Sequence, residues 1–225
     1  MKDKKEPIKR SKKPWPTKDA MEQVYDQNLW GENDTLFYSG IGSHHPDIIE
    51  PYITRISSFL SSFEEPPRVC DLGCGDFNVG KDLVKYTSTY IAADIVESLI
   101  VYNSQKFDLE NVEFRCLDIA TDPLPSGDIV ILRQVFQHLS NAEIKSILKK
   151  LNDFKYLILT EHIPQENFES NLDIISGQGT RLKKKSGIDL TTAPFNFQFI
   201  EKQTVLSLPA KDHMGIIETS IFRLK

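Results

Sequence analysis

The stretch Arg68-Val69-Cys70-Asp71-Leu72-Gly73-Cys74-Gly75-Asp76-Phe77-Asn78-Val79-Gly80 decides how this chain is read. Its first half is a short apolar run, bounded upstream by Glu64-Glu65-Pro66-Pro67 and downstream by glycines, which predicts a buried strand ending in a tight turn. Glycines at 73, 75 and 80 let backbone approach a ligand and adopt torsions closed to other residues. Upstream, residues 46–63 repeat Ile48, Ile49, Tyr52, Ile53, Ile56, Phe59, Leu60 and Phe63 at spacings of three and four, an amphipathic helix. Downstream the pattern predicts a helix over 79–86, a strand over 90–95, a helix over 97–107 and a strand over 112–117. A further strand spans 128–132, a helix 140–154 opens on the capping-box pattern Ser140-Asn141-Ala142-Glu143, and 156–160 is another strand. Parallel strands need crossover connections, so five strands alternating with helical segments argue for a mostly parallel sheet covered on both faces. Beyond Gly187 the β-rich runs 195–208 and 216–224 predict an antiparallel hairpin. The class is α/β: a doubly wound, mostly parallel seven-stranded sheet with a C-terminal antiparallel hairpin and helices on both faces.

With 225 residues, 40% of them hydrophobic and 26% charged, the chain suits one core with an extension. The division is an N-terminal extension over 1–45, made of a basic disordered tail and a lid or strap, and a domain over 46–225 with a substrate-side insert around 165–197. Residues 1–13 hold seven Lys/Arg against two Asp/Glu, a local +5 in a chain of net −5, so the remainder carries −5 − 5 = −10. Such a body repels phosphate backbones, which disfavours nucleic acid as a partner. No apolar run reaches the roughly 20 residues of a membrane span, and the lysine-rich start lacks the apolar stretch of a secretory signal. Cys70, Cys74 and Cys116 cannot all pair; Cys70 and Cys116 lie in runs read as buried strands. Free thiols in a reducing cytoplasm are the expectation, and the spacing supports no metal site.

In an open parallel sheet, ligands sit beyond the carboxyl ends of the strands where strand order reverses. Asp94 ends the second strand 23 residues after Asp71, placed to accept hydrogen bonds from both hydroxyls of a ribose. Asp118 ends the third strand, within reach of the exocyclic amine of an adenine. Three acids at three consecutive strand ends form a constellation.

Over residues 68–162, and loosely over the hairpin, the chain resembles the class I S-adenosylmethionine-dependent methyltransferases. The resemblance rests on V-C-D-L-G-C-G-D at 69–76, A-A-D-I at 92–95, C-L-D-I at 116–119 and V-F-Q-H-L at 135–139. It implies that Gly73 and Gly75 lie under the methionine part of the cofactor, that Asp71 organises the loop and the cofactor amine, and that Asp94 holds the ribose. Asp118 with Ile119 would face the adenine, Cys74 and Ile95 complete the cofactor set, and Arg133 and Gln134 border the methyl group and the substrate.

A sulfonium methyl is already activated, so alignment and exclusion of water dominate the chemistry. A hydroxyl nucleophile needs a base, whereas a neutral amine needs only to be held deprotonated. His44, Glu161 and His162 are the candidate bases, with His45 beside them; Glu161-His162 directly follows the fifth predicted strand. His138 reads as structural. The segment 36–45 carries Tyr38, His44 and His45 and is read as a lid with substrate contacts, or equally as an ordered strap. Arg181 with Lys183, Lys184 and Lys185 suits an anionic substrate, or a solvated loop. Tyr38, His45, Gln134 and Arg181 are thus the candidate substrate residues. The reading is a methyltransferase acting on O or N of a small, sugar-like or natural-product-like molecule. Its rivals are a nicotinamide-dependent reductase, which lacks the third glycine of its fingerprint at Asn78, and a noncatalytic nucleoside-binding module.

Overall fold

The computed structural model describes residues 14–210 and 215–225. The basic tail lies outside the described residues, as do residues 211–214 of the C-terminal turn. The strands are β1 (Arg68–Leu72), β2 (Thr89–Asp94), β3 (Val112–Cys116), β4 (Ile129–Arg133), β5 (Tyr156–Ile163), β6 (Glu201–Pro209) and β7 (Ile216–Arg223). They form one sheet in the order β3-β2-β1-β4-β5-β7-β6. Strands β1 to β5 are parallel, and β7 runs antiparallel between β5 and β6. Strand order reverses between β1 and β4, and the register carries Asp71, Asp94 and Arg133 to that one edge of the sheet.

Successive side chains of a strand point to opposite faces, and both faces here are apolar. Cys70, Leu72, Val130, Leu132, Leu157 and Leu159 face α4 (Asn141–Leu148). Val69, Ile129, Ile131 and Ile158 face Tyr52, Ile56 and Leu60 of α2 (Pro46–Leu60). The capping box opens α4, Ser140 and Glu143 each bonding the other's backbone N–H. Helix α3 (Glu97–Lys106) places Leu99 against Met21, Val24 and Tyr25 of α1 (Thr17–Asp26).

Several expectations are corrected. The N-terminal extension contains α1, whose apolar stripe covers too few turns to stand out in the sequence. Residues 79–86 form two 3₁₀ turns, Gly80–Asp82 and Val84–Tyr86, instead of an α-helix. So short a segment gains little beyond the cost of helix nucleation, and a Cβ at Gly80 would press on Phe77 at 2.5 Å. The helix expected over 140–154 ends at Leu148 and gives way to a 3₁₀ turn at Leu151–Asp153. Strand β6 starts at Glu201, because Asn196 takes a left-handed φ of 44° and Phe197 and Phe199 turn onto Phe222. Cys116 is exposed, since β3 is an edge strand. Finally, β5 runs through Glu161 and His162, because β7 continues its ladder beyond the ends of the parallel strands.

Candidate functional site

At the switch point lies a cavity of about 720 Å³. Its floor is the loop after β1. Gly73 has φ 86° and Gly75 φ 56°, in the left-handed region where side chains are strained. A Cβ at Gly73 would lie 2.5 Å from Val135, and one at Gly75 would collide with Ser39. Asp94 is buried; its Oδ2 accepts from the N–H of Gly75 and its Oδ1 from that of Val96, both at 3.1 Å. It therefore locks the glycine turn while facing the cavity. Burial raises its pKa against those hydrogen bonds. Burial also pushes Asp71 up to about 6, opposed by the Tyr90 hydroxyl at 2.9 Å and by the Arg133 charge. Asp118 accepts from Ala120 N–H at 2.9 Å and lines the cavity together with Ile95 and Ile119. Cys74 lies on the same wall, its thiol pushed well up by burial and by Asp94.

The roof comes from the N-terminal segment. Thr17, Met21, Tyr25, Leu29 and Trp30 line the cavity, followed by residues 39–43 and His45. Asp76 holds this strap to the glycine loop: its Oδ2 accepts from Ser39 N–H at 2.9 Å and lies 2.6 Å from His44 Nε2, while Ser39 Oγ accepts from Asp76 N–H at 2.8 Å. Arg133 holds the middle of the strap, donating to Ser43 Oγ at 3.0 Å and to the Gly42 carbonyl. Its guanidinium also lies over the Tyr52 ring at 4.9 Å. Gln134, at φ 57°, presses its amide against Gly42.

Beyond Arg133 the cavity reaches Gln137, His138, Glu143, His162, Gln178 and Lys183. Glu143 accepts from the hydroxyls of Thr17, Ser140 and Ser176, which ties α1 and the insert to α4. Gln137 accepts from His162 N–H at 3.2 Å through its Oε1, so its Nε2 meets His138 Nε2 at 3.1 Å. An amide so oriented donates, which puts the proton of a neutral imidazole on Nδ1. Burial pushes His138 down to about 4, and its ring packs on Trp30 at 5.0 Å.

Of the residues expected at the site, Asp71, Gly73, Cys74, Gly75, Asp94, Ile95, Asp118, Ile119, Arg133, Gln134, His45 and His162 share this cavity. Tyr38, His44, Glu161 and Arg181 lie off its wall. Glu161 points to the opposite side of β5 from Thr160 and caps the turn after β4, accepting from Phe136 N–H at 2.9 Å and Gln137 N–H at 2.8 Å. Burial pushes it up to about 8. Arg181 is 1% exposed and holds the carbonyls of Phe136, Leu139 and Leu172. Lys184 donates to the Asp173 carbonyl, which leaves Lys183 as the cation of that cluster on the cavity wall. His44 packs its ring on Tyr38, centroids 4.5 Å apart. Sequence reasoning missed Thr17, Met21, Tyr25 and Trp30, as well as Asp76, Gln137 and Glu143. Glu143 had a visible signal, its place in the capping box, but that signal announced a helix start and nothing about a cavity.

Residues 69–154 match the model of a methyltransferase domain family. No curated protein matches the chain by sequence. Among solved structures, the N-methyltransferase NodS from Bradyrhizobium japonicum, in complex with S-adenosylhomocysteine, aligns with a TM-score of 0.64 at 11% identity, over 92% of this chain and 100% of that one. The N-terminal domain of EvdMO1, solved in the presence of S-adenosylhomocysteine and D-fucose, gives 0.59 at 16% identity over 91% and 95%. Human N-acetylserotonin methyltransferase in complex with S-adenosylmethionine gives 0.54 at 18% over 78% and 52%, so this chain spans about half the length of that protein. At these identities the likeness is one of fold.

Proposed function

We propose, on the premise that the chain carries a class I, S-adenosylmethionine-dependent methyltransferase domain, that it methylates an oxygen or nitrogen of a small polar molecule. The observation that carries this is a single cavity in which the glycine turn and the acids ending β1, β2 and β3 continue without interruption into a polar chamber beyond Arg133. The residues fit the cofactor. Gly73 and Gly75 form a cradle that a Cβ would fill, Asp94 offers lone pairs to a ribose, and Asp118 and Ile119 flank the place for a base. When bound, the cofactor supplies an activated methyl group. The protein's own part is to hold both molecules in line and keep water out, which the roof of α1 and residues 39–45 serves.

A small acceptor is supported by the enclosure of the chamber beneath α1 and by the neighbouring structure solved in the presence of D-fucose. The negative body charge turns nucleic acid away, and three free thiols suit a reducing cytoplasm. Among the described residues no helix is long and apolar enough to cross a membrane. The reductase reading is weakened because 3₁₀ turns follow the glycine loop, and no α-helix N-terminus stands there to hold a pyrophosphate.

Titration calorimetry tests the proposal. S-adenosylmethionine and S-adenosylhomocysteine should bind, NADH and NADPH should not, and Asp94→Ala should weaken binding by about 2 kcal/mol or more, roughly thirtyfold. Unchanged affinity in the variant would remove Asp94 from the site. Binding of a nicotinamide alone would carry the reductase instead, and binding of nothing the noncatalytic module.

A further inference from the structure

We infer that Ser146 and Lys150 are positioning residues for the base of the cofactor, holding the loop after β3 where it can tell an adenine from another purine. The inference rests on the methyltransferase reading and deepens it.

The loop needs support from outside itself. Its strand, β3, is at the edge of the sheet, and Leu117 N–H on the Asp94 carbonyl at 2.9 Å is the tie to β2 beyond the strand's end. Residues 118–122 then close on themselves. The Asp118 carbonyl accepts from Thr121 N–H at 3.1 Å and from Asp122 N–H at 2.8 Å. Asp118 Oδ1 accepts from Ala120 N–H at 2.9 Å, and Asp122 Oδ2 from Asp118 N–H at 3.0 Å. These bonds fix the shape of the turn but not its place against the cavity.

Its place comes from α4. Ser146 Oγ donates to the Ala120 carbonyl at 2.6 Å, and Lys150 Nζ donates to the carbonyls of Ile119 at 2.6 Å and Asp122 at 2.8 Å. Three carbonyls of the loop are thus gripped from the helix side, while Asp118, Ile119 and Ala120 line the cavity. The charges of Asp118 and Asp122 act on the same ammonium. Helix α4 is a firm support: Ile144, Ile147 and Leu148 are packed in the core, the capping box closes its start, and Lys150 N–H donates to the Ile147 carbonyl at 2.8 Å. A group carried on a packed helix places its partner more closely than one carried on a loop.

On the methyltransferase reading, Asp118 accepts from the exocyclic amine of the adenine. A hydrogen bond to a carboxylate depends on distance and angle, so a loop that drifts loses the base. The Asp94 carboxylate, tied to Gly75 and Val96, keeps its own place. Loss of Ser146 or Lys150 therefore removes recognition of the base and spares that of the ribose.

Titration calorimetry of the full chain tests this with S-adenosylhomocysteine and S-inosylhomocysteine, in which an oxo group that accepts replaces the amine that donates. The unaltered protein should prefer the adenine compound by about tenfold or more, since a site built for a donor rejects its replacement. Lys150→Met and Ser146→Ala should each cut that ratio by about threefold or more by weakening the adenine compound, and Lys150→Arg should restore much of it. Asp94→Ala should weaken both compounds alike and leave the ratio unchanged. Should Lys150→Met fail to fold in thermal melting, the ratio in Ser146→Ala decides alone. A ratio that stays put in the variants overturns the inference, whether affinity holds or falls equally for both compounds, the second being the mark of a merely structural role. Equal binding of both compounds by the unaltered protein overturns it as well. Binding of neither compound sinks the methyltransferase reading itself.

Discussion

Arg181 donates to three main-chain carbonyls and to Asn141 Oδ1 while almost wholly buried, so it fastens the insert to the turn after β4. The carbonyls satisfy its guanidinium N–H groups, while burial and the nearby Glu161 and Asp173 act on its charge. Arg181→Met should leave those carbonyls unpaired and cost about 3 kcal/mol, since each buried group left unsatisfied costs roughly 1 to 3 kcal/mol. Urea denaturation checks this: the midpoint should fall, whereas an unchanged midpoint would place Arg181 outside the structural framework. The contrast with Asp94 shows what one residue discloses in a sequence. Asp94 was legible because its distance from a glycine turn ties it to a strand end. Arg181 was not, because a charge in a lysine-rich loop looks the same whether solvated, buried or facing a ligand.

At the scale of elements, α1 is the part that the cavity lacks without it. Its apolar side packs on Val96 and Leu99, while Thr17 reaches Glu143 and Gln178 Nε2 donates to the Leu29 carbonyl at 2.8 Å. Both tryptophans of the chain, Trp15 and Trp30, lie in this segment. In a Trp15→Phe background, emission therefore reports on Trp30 against His138. Adding Thr17→Val there should shift that emission to the red and lower Tm by about 3 to 6 °C, as expected for a hydrogen bond of about 1.5 kcal/mol to a charged partner in a chain of this length. Unaltered emission would show that the Thr17 contact does not hold the roof. In the sequence α1 was hidden beside the basic tail, whereas α2, with its apolar residues repeated over four turns, was plain.

For the whole molecule, burial sets opposed titrations. Glu161 titrates near 8 in the fold against 4.5 in the open chain, so the folded protein holds its proton more tightly; that stability is complete below pH 4.5 and is lost as pH rises through 8. His138 falls to about 4 from 6.5, so its share is present above pH 6.5 and lost as pH falls through 4. The two slopes oppose each other between about 4.5 and 6.5. From 6.5 to 8 the Glu161 decline runs without the opposing His138 gain, 8 − 6.5 = 1.5 pH units, or about 2 kcal/mol. The ligand-free chain should lose roughly 4 to 8 °C in Tm over that interval, and Glu161→Gln should flatten the loss; an equally steep fall in the variant would assign it to another group. The fold itself needed only local information. Period-two and period-three-to-four apolar patterns, with glycine and proline between them, specify strands, helices and breaks, and their alternation leaves a doubly wound sheet as the way to bury both strand faces. The glycine turn and the acids at strand ends were legible for the same reason, since a strand end is a local feature. Which side chains share the cavity was decided by the tertiary structure. Extension of β5 by β7 turned Glu161 behind the wall, the Asp76 bond held His44 off it, and the folding back of α1 brought Thr17 and Trp30 over residues more than a hundred positions away. Those outcomes depend on hydrogen-bond partners distant in sequence, which no local pattern encodes.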